Sequence, residues 1–243
     1  TKDEALFIIK NEKNLSLYPV SKDELRSLLN DSFQYISGLI GPFSDDEVVV
    51  NLKESGGGGS VPGYFSVSPI IMSDHSAVES LHSFILHEMT HALTYQWGES
   101  FLPLFSEGIA YLIGGKYLES KYGNNLHAFV KAYLETEHLR LVNFLDPQKF
   151  FADKESYGCV PRYSASFTAY LLDKFGVESI MATFEYGGEV DYENSSYYKS
   201  KKHRVNCIKR WLSAIGKQTI QDLETDYLRF IDNLNSRGFY TMF

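Results

Sequence analysis

The chain has 243 residues, of which 44% are hydrophobic, 22% charged and 15% aromatic, and its formal net charge is −8. That length and balance exclude intrinsic disorder and are ample for one domain with a sizeable core. The acidic charge, with no basic stripe to overrule it, argues against nucleic acid as a partner, and no apolar run reaches the roughly 18 to 20 residues that cross a bilayer.

The chain opens on Thr1 rather than methionine. The expectation from this is an upstream segment that has been removed, either by a signal peptidase or by design, with an extracytoplasmic location slightly favoured over a cytoplasmic one. Ala5 to Ile9 is predicted as a strand, and a helix follows from about Lys22 to Leu39. The capping pattern Ser21-x-x-Glu24 opens that helix and Gly41-Pro42 ends it. Glu47 to Leu52 (EVVVNL), rich in β-branched residues, is a second strand, with two short strands expected at Tyr64 to Val67 and Ile70 to Met72. Between them lies Gly56 to Ser60, GGGGS, identical to a common engineered linker. It reads either as such a linker or as a flexible loop joining two strands. Gly63 to Val67 is expected to be an edge strand, ordinary or open to an added peptide strand.

From Ala77 onward the signals are almost wholly helical. Ser76-x-x-Glu79 is a second capping box, and apolar residues run from Val78 through Leu93 to about Gln96, predicting a buried helix. Further helices are expected at Ser106 to Lys121, Leu126 to Glu137, Ser164 to Phe175, Val177 to Glu185, Val205 to Ala214 and Thr219 to Leu234. Gly187 to Lys202 reads as a long exposed loop, with a lid as the alternative. Cys159 and Cys207 match no zinc or redox spacing, so one disulfide and two buried thiols both remain open. The expected architecture is α+β in a single domain, 1–243. Residues 1–76 form a small mixed sheet with helices, and residues 77–243 form an active-site helix and a mainly helical lobe.

Within the buried helix stands His87-Glu88-Met89-Thr90-His91, an HExxH pattern. Histidines four residues apart differ by about 40° around a helix, so both imidazoles leave one face and can grip one ion. Two histidines and a glutamate in an apolar helix would cost several kcal/mol without partners, and a metal supplies one. Composition alone gives an accidental HExxH in roughly one or two such chains per hundred. A catalytic zinc takes three protein ligands and leaves a fourth position for water. Glu107, sixteen residues after His91, sits at the start of a second helix, and the turn-forming Gly98 and Pro103 can bring that helix alongside the first. The predicted metal set is therefore His87, His91 and Glu107 around Zn²⁺, one per chain, with Glu88 beside the water.

HEMTH followed by FSEGIAYL resembles the gluzincin metallopeptidases, in particular the bacterial peptidase MA-like group. Gly63 to Ser66 with Ile70 to Met72 resembles that group's edge strand. Tyr163 to Phe167, with Tyr170-Leu171 and Phe175-Gly176, resembles a later helix, and Gly216 to Leu228 its terminal helix. The resemblance spans about Tyr64 to Leu234 and implies a zincin-like fold. It also implies hydrolysis of peptide bonds in a peptide or protein substrate, of endopeptidase type, with Glu88 as general base and Tyr163 donating to the oxyanion. Tyr157, Tyr170 and His203 are weaker candidates for that donor. His75, His82, His127 and His138 lack ligand spacing and read as capping, surface or core residues. Two features depart from the family pattern. The Gly-x-Met-Glu-Asn motif that holds a substrate amino terminus is missing, and Tyr111 stands where thermolysin-like relatives place an aspartate that orients a histidine. The alternative reading is a catalytically silent zinc-containing binding protein on a peptidase scaffold.

Overall fold

The computed structural model describes residues 5–41, 43, 47–69, 76–115, 126, 127, 130, 131, 133, 140–145, 150, 159–188 and 201–234. These residues form an α+β protein, mainly helical, with one four-stranded mixed sheet built entirely from the first 67 residues. The strands are β1 (Leu6–Lys10), β2 (Glu47–Leu52), β3 (Gly59–Val61) and β4 (Tyr64–Val67), in the order β1-β2-β4-β3. The helices are α1 (Lys22–Ile40), α2 (Ala77–Thr94), α3 (Pro103–Gly114), α4 (Leu141–Phe144), α5 (Cys159–Phe175), α6 (Val177–Glu185), α7 (Lys201–Ala214) and α8 (Ile220–Leu234). Short 3-10 turns stand at Glu12–Leu17 and Tyr95–Trp97.

The chain divides into two compact units, Thr1–Gln96 with Ile113–Lys121, and Trp97–Leu112 with Tyr122–Phe243. In the first, β1 and β2 run parallel, as do β2 and β4, while β3 returns antiparallel on β4. Pro62-Gly63 makes the two-residue hairpin between β3 and β4, with Gly63 at φ 64, a conformation that favours glycine. The period-2 pattern of β2 and β4 puts Val48, Val50, Leu52, Phe65 and Val67 in the core, all 0% exposed. The Tyr18 hydroxyl lies 2.9 Å from Lys53 O and 2.7 Å from Val67 O, at the ends of β2 and β4. Burial pushes its pKa up to about 12.

This sheet corrects two expectations. β4 is not an edge, because it pairs with β2 on one side and β3 on the other. The GGGGS stretch is not merely a loop, because Gly59 and Ser60 belong to β3, the strand that does form that edge. A glycine-rich segment has little strand propensity of its own, and here the pairing with β4 supplies it. The expected strand at Ile70 to Met72 lies outside the described residues.

α2 packs on α1, β3 and β4. Its N-terminus carries the complete capping box, with Ser76 Oγ accepting from Glu79 N–H at 3.2 Å and Glu79 Oε2 accepting from Ser76 N–H at 2.9 Å. We expect Ser76→Ala to cost about 1 kcal/mol, read as a lower urea midpoint with unchanged m-value.

The second unit is a helical bundle with an aromatic centre. Phe105, Tyr163, Phe167, Tyr170, Trp211 and Tyr227 are each at most 1% exposed. Trp211 Nε1 donates to Ser179 O at 2.9 Å, which satisfies the indole inside the core. Glu224, 6% exposed, accepts from Arg140 Nε and Nη2 and from Leu141 N–H, so the start of α4 is tied to α8. Cys207 is a buried thiol, its Sγ 3.0 Å from Tyr186 O and 3.3 Å from His203 Nε2. The side chain of Cys159 is outside the described residues, as are His75, His138, Tyr157 and positions 189–200 of the expected loop.

Candidate metal centre

α2 displays its two histidines as the four-residue spacing requires. The His87 and His91 rings have centroids 4.8 Å apart at an interplanar angle of 83°, and both side chains are half-buried. Glu88, one residue on, is 7% exposed. Ile85, Leu86, Met89, Ala92 and Leu93 of the same helix are 0% exposed, so the two histidines and Glu88 stand among buried apolar side chains.

α3 begins at Pro103, three residues before the predicted start. Proline suits the first helical turn because it has no N–H to leave unsatisfied. The turn before it uses Gly98 at φ 107. The far end of α3 is held against α2. Ser83 Oγ donates to Gly114 O, and a Cβ at Gly114 would lie 3.0 Å from His87 Cβ and from Ser83 O. Only glycine permits that approach without displacement. Glu107 lies seven residues before Gly114, about 20° short of two full turns, and so on the same face of α3.

Among the described residues, His87, His91 and Glu107 each offer one ligand atom, and these atoms all lie within 4.8 Å of one another. Zinc bonds of about 2.0 to 2.1 Å in a tetrahedron put ligand atoms roughly 3.4 Å apart, so small side-chain rotations close the set on an ion. Two imidazole nitrogens and one carboxylate oxygen suit zinc chemically. The three predicted ligands are thus brought together.

The remaining candidates have other surroundings. Tyr163, 1% exposed, stacks on Phe144 with centroids 3.9 Å apart and contacts Tyr227 edge-on at 5.7 Å. Tyr170 is buried, and its hydroxyl has no hydrogen-bond partner among the described residues; burial raises its pKa. His203 bonds Cys207. His127, 0% exposed, places Nδ1 2.6 Å from Ser166 Oγ, which lies 2.6 Å from Tyr227 OH. His82 is buried on α2.

Sequence reasoning missed the glycines that shape the site. Gly114 has a legible trace, its place two turns after Glu107 on one helix face. Gly58 has none, because its partner Glu88 is thirty residues away and meets it only in the fold. Compared with protein-family models, curated proteins and solved structures, the chain matches none of them.

Proposed function

We propose that the chain is a zinc-dependent metallopeptidase of the gluzincin type, with a zincin-like fold, cleaving within a peptide or protein substrate. The observation that carries this reading is the convergence of His87, His91 and Glu107 to within 4.8 Å, with the buried Glu88 carboxylate next to the first of them. Zinc held by these residues would lower the pKa of a water toward 7 and polarise the scissile carbonyl. Glu88 accepts the proton of the attacking water and returns it to the leaving amine. β3 is the sheet edge on this side, and it directly follows Gly58, which touches Glu88. An extended peptide added along β3 would pass close to the base, with main-chain hydrogen bonds holding it in register.

Metal analysis of the purified chain is the test. About one zinc per chain is expected, together with internal cleavage of a peptide library. His91→Ala and Glu107→Ala should each weaken zinc binding by more than the roughly 10- to 100-fold lost when a ligand's hydrogen-bond partner is removed. A chain that takes up no metal would falsify the reading. Tyr163 remains the proposed oxyanion donor. Tyr163→Phe is then expected to lower kcat by roughly 10²- to 10³-fold, whereas a purely packing tyrosine would leave kcat within a few-fold of wild type.

A further inference from the structure

We propose that Gly58 is a positioning residue for Glu88, its bare Cα forming the wall against which the carboxylate of the general base is seated. This rests on the metallopeptidase reading above. A Cβ built at Gly58 would overlap the Glu88 carboxyl group and lie 2.7 Å from Phe84 Cζ. Any side chain at 58 therefore takes the space that Glu88 now fills. Phe84, one turn before Glu88 on α2, bounds the same space from the helix side.

The wall is fixed on both sides of Gly58. Lys53 Nζ donates to Gly57 O at 2.7 Å, Ser68 Oγ donates to Gly56 O, and Ser66 Oγ donates to Gly59 O at 3.2 Å. Ser66, in β4, and Ser68, just after it, are themselves 8% and 1% exposed, so both anchors are buried. A run of glycines that would wander in isolation is thus tied at Gly56, Gly57 and Gly59, and delivers Gly58 to one place. Glu88 has several side-chain torsions, and a fixed wall removes the rotamers that swing its carboxylate from the attacking water. Misplacing a reacting group by about 1 Å can cost on the order of 10²-fold in rate.

Gly57 provides the control. A Cβ there meets nothing within 4 Å, so Gly57→Ala makes the same change of chain flexibility without touching Glu88. In the zinc-loaded full chain, Gly58→Ala is expected to lower kcat by about 10²-fold with KM and zinc content unchanged, while Gly57→Ala tracks wild type. Ser68→Ala adds no atom and releases the loop at Gly56. It should lower kcat in the same direction, and keeps the question open to measurement if Gly58→Ala folds poorly. The visible absorption of the cobalt-loaded protein gives a readout independent of turnover, expected to shift in Gly58→Ala and not in Gly57→Ala. Equal kcat in the two alanine variants, an unchanged kcat in Ser68→Ala, or identical cobalt spectra in a chain without turnover each overturns the inference. If metal and turnover are present, the metallopeptidase reading survives that result. A chain that takes up neither zinc nor cobalt removes both.

Discussion

Glu88→Gln is expected to reduce hydrolysis by about 10²- to 10⁴-fold while one zinc per chain is retained. Glutamine has nearly the shape of glutamate, so the contacts with Gly58 and Phe84 persist. It cannot take up the proton of an attacking water. The substitution conserves the volume of a side chain that is 7% exposed, so the variant is expected to fold as the wild type does. Lost activity with retained metal and retained stability then assigns the defect to proton transfer. Undiminished cleavage would remove Glu88 from the mechanism. A wild-type chain that binds zinc and selected peptides with no turnover would instead favour the zinc-containing binding protein.

The second large effect is on stability. His127 is 0% exposed beside Ser166 and edge-on to Phe230, and burial pushes its pKa down to about 3 from 6.5. The unfolded chain takes a proton on this imidazole near pH 6.5 and the folded chain does not. The neutral form therefore contributes its full stability above about pH 6.5, and that contribution declines as pH falls toward 3. The slope approaches 1.4 kcal/mol per pH unit, so several kcal/mol are at stake across the window. Between pH 6.5 and 5 few carboxylates titrate, and the slope there reports mainly histidine. Urea unfolding across that interval should show stability falling with acidification in the wild type and a flatter profile in His127→Gln. Equal slopes in the two proteins would mean that His127 is protonated in the fold.

Much of the fold was legible where the signal is local. Ser21 with Glu24 and Ser76 with Glu79 are reciprocal caps written in four residues, and α1 and α2 begin where those boxes predict. β2 and β4 match their predicted limits because β-branched and aromatic residues are concentrated there. α5 is helical already at Cys159, five residues before the expectation, in a stretch whose sequence carries no capping signal. β3 was missed, and with it the identity of the edge. Strand order is a matter of pairing between distant segments, Val49 with Tyr64 and Ser60 with Phe65, and no residue encodes it alone. At the site, the pair of histidines follows from helix geometry, and Glu107 from a second helix at the right distance. The close approaches of Gly58 and Gly114 depend on neighbours that only the folded chain supplies.

The path of the chain also limits how the molecule can be divided. Ile113–Lys121 belongs with Thr1–Gln96 although residues 97–112 belong elsewhere. A fragment ending at Gln96 would keep His87, Glu88 and His91, yet lose the Gly114 carbonyl that accepts from Ser83 and the glycine surface that His87 rests on. No single cut releases the sheet and α2 as a self-sufficient module. A fragment that is to keep both the Ser83–Gly114 contact and the three candidate ligands must carry α2 and α3 together.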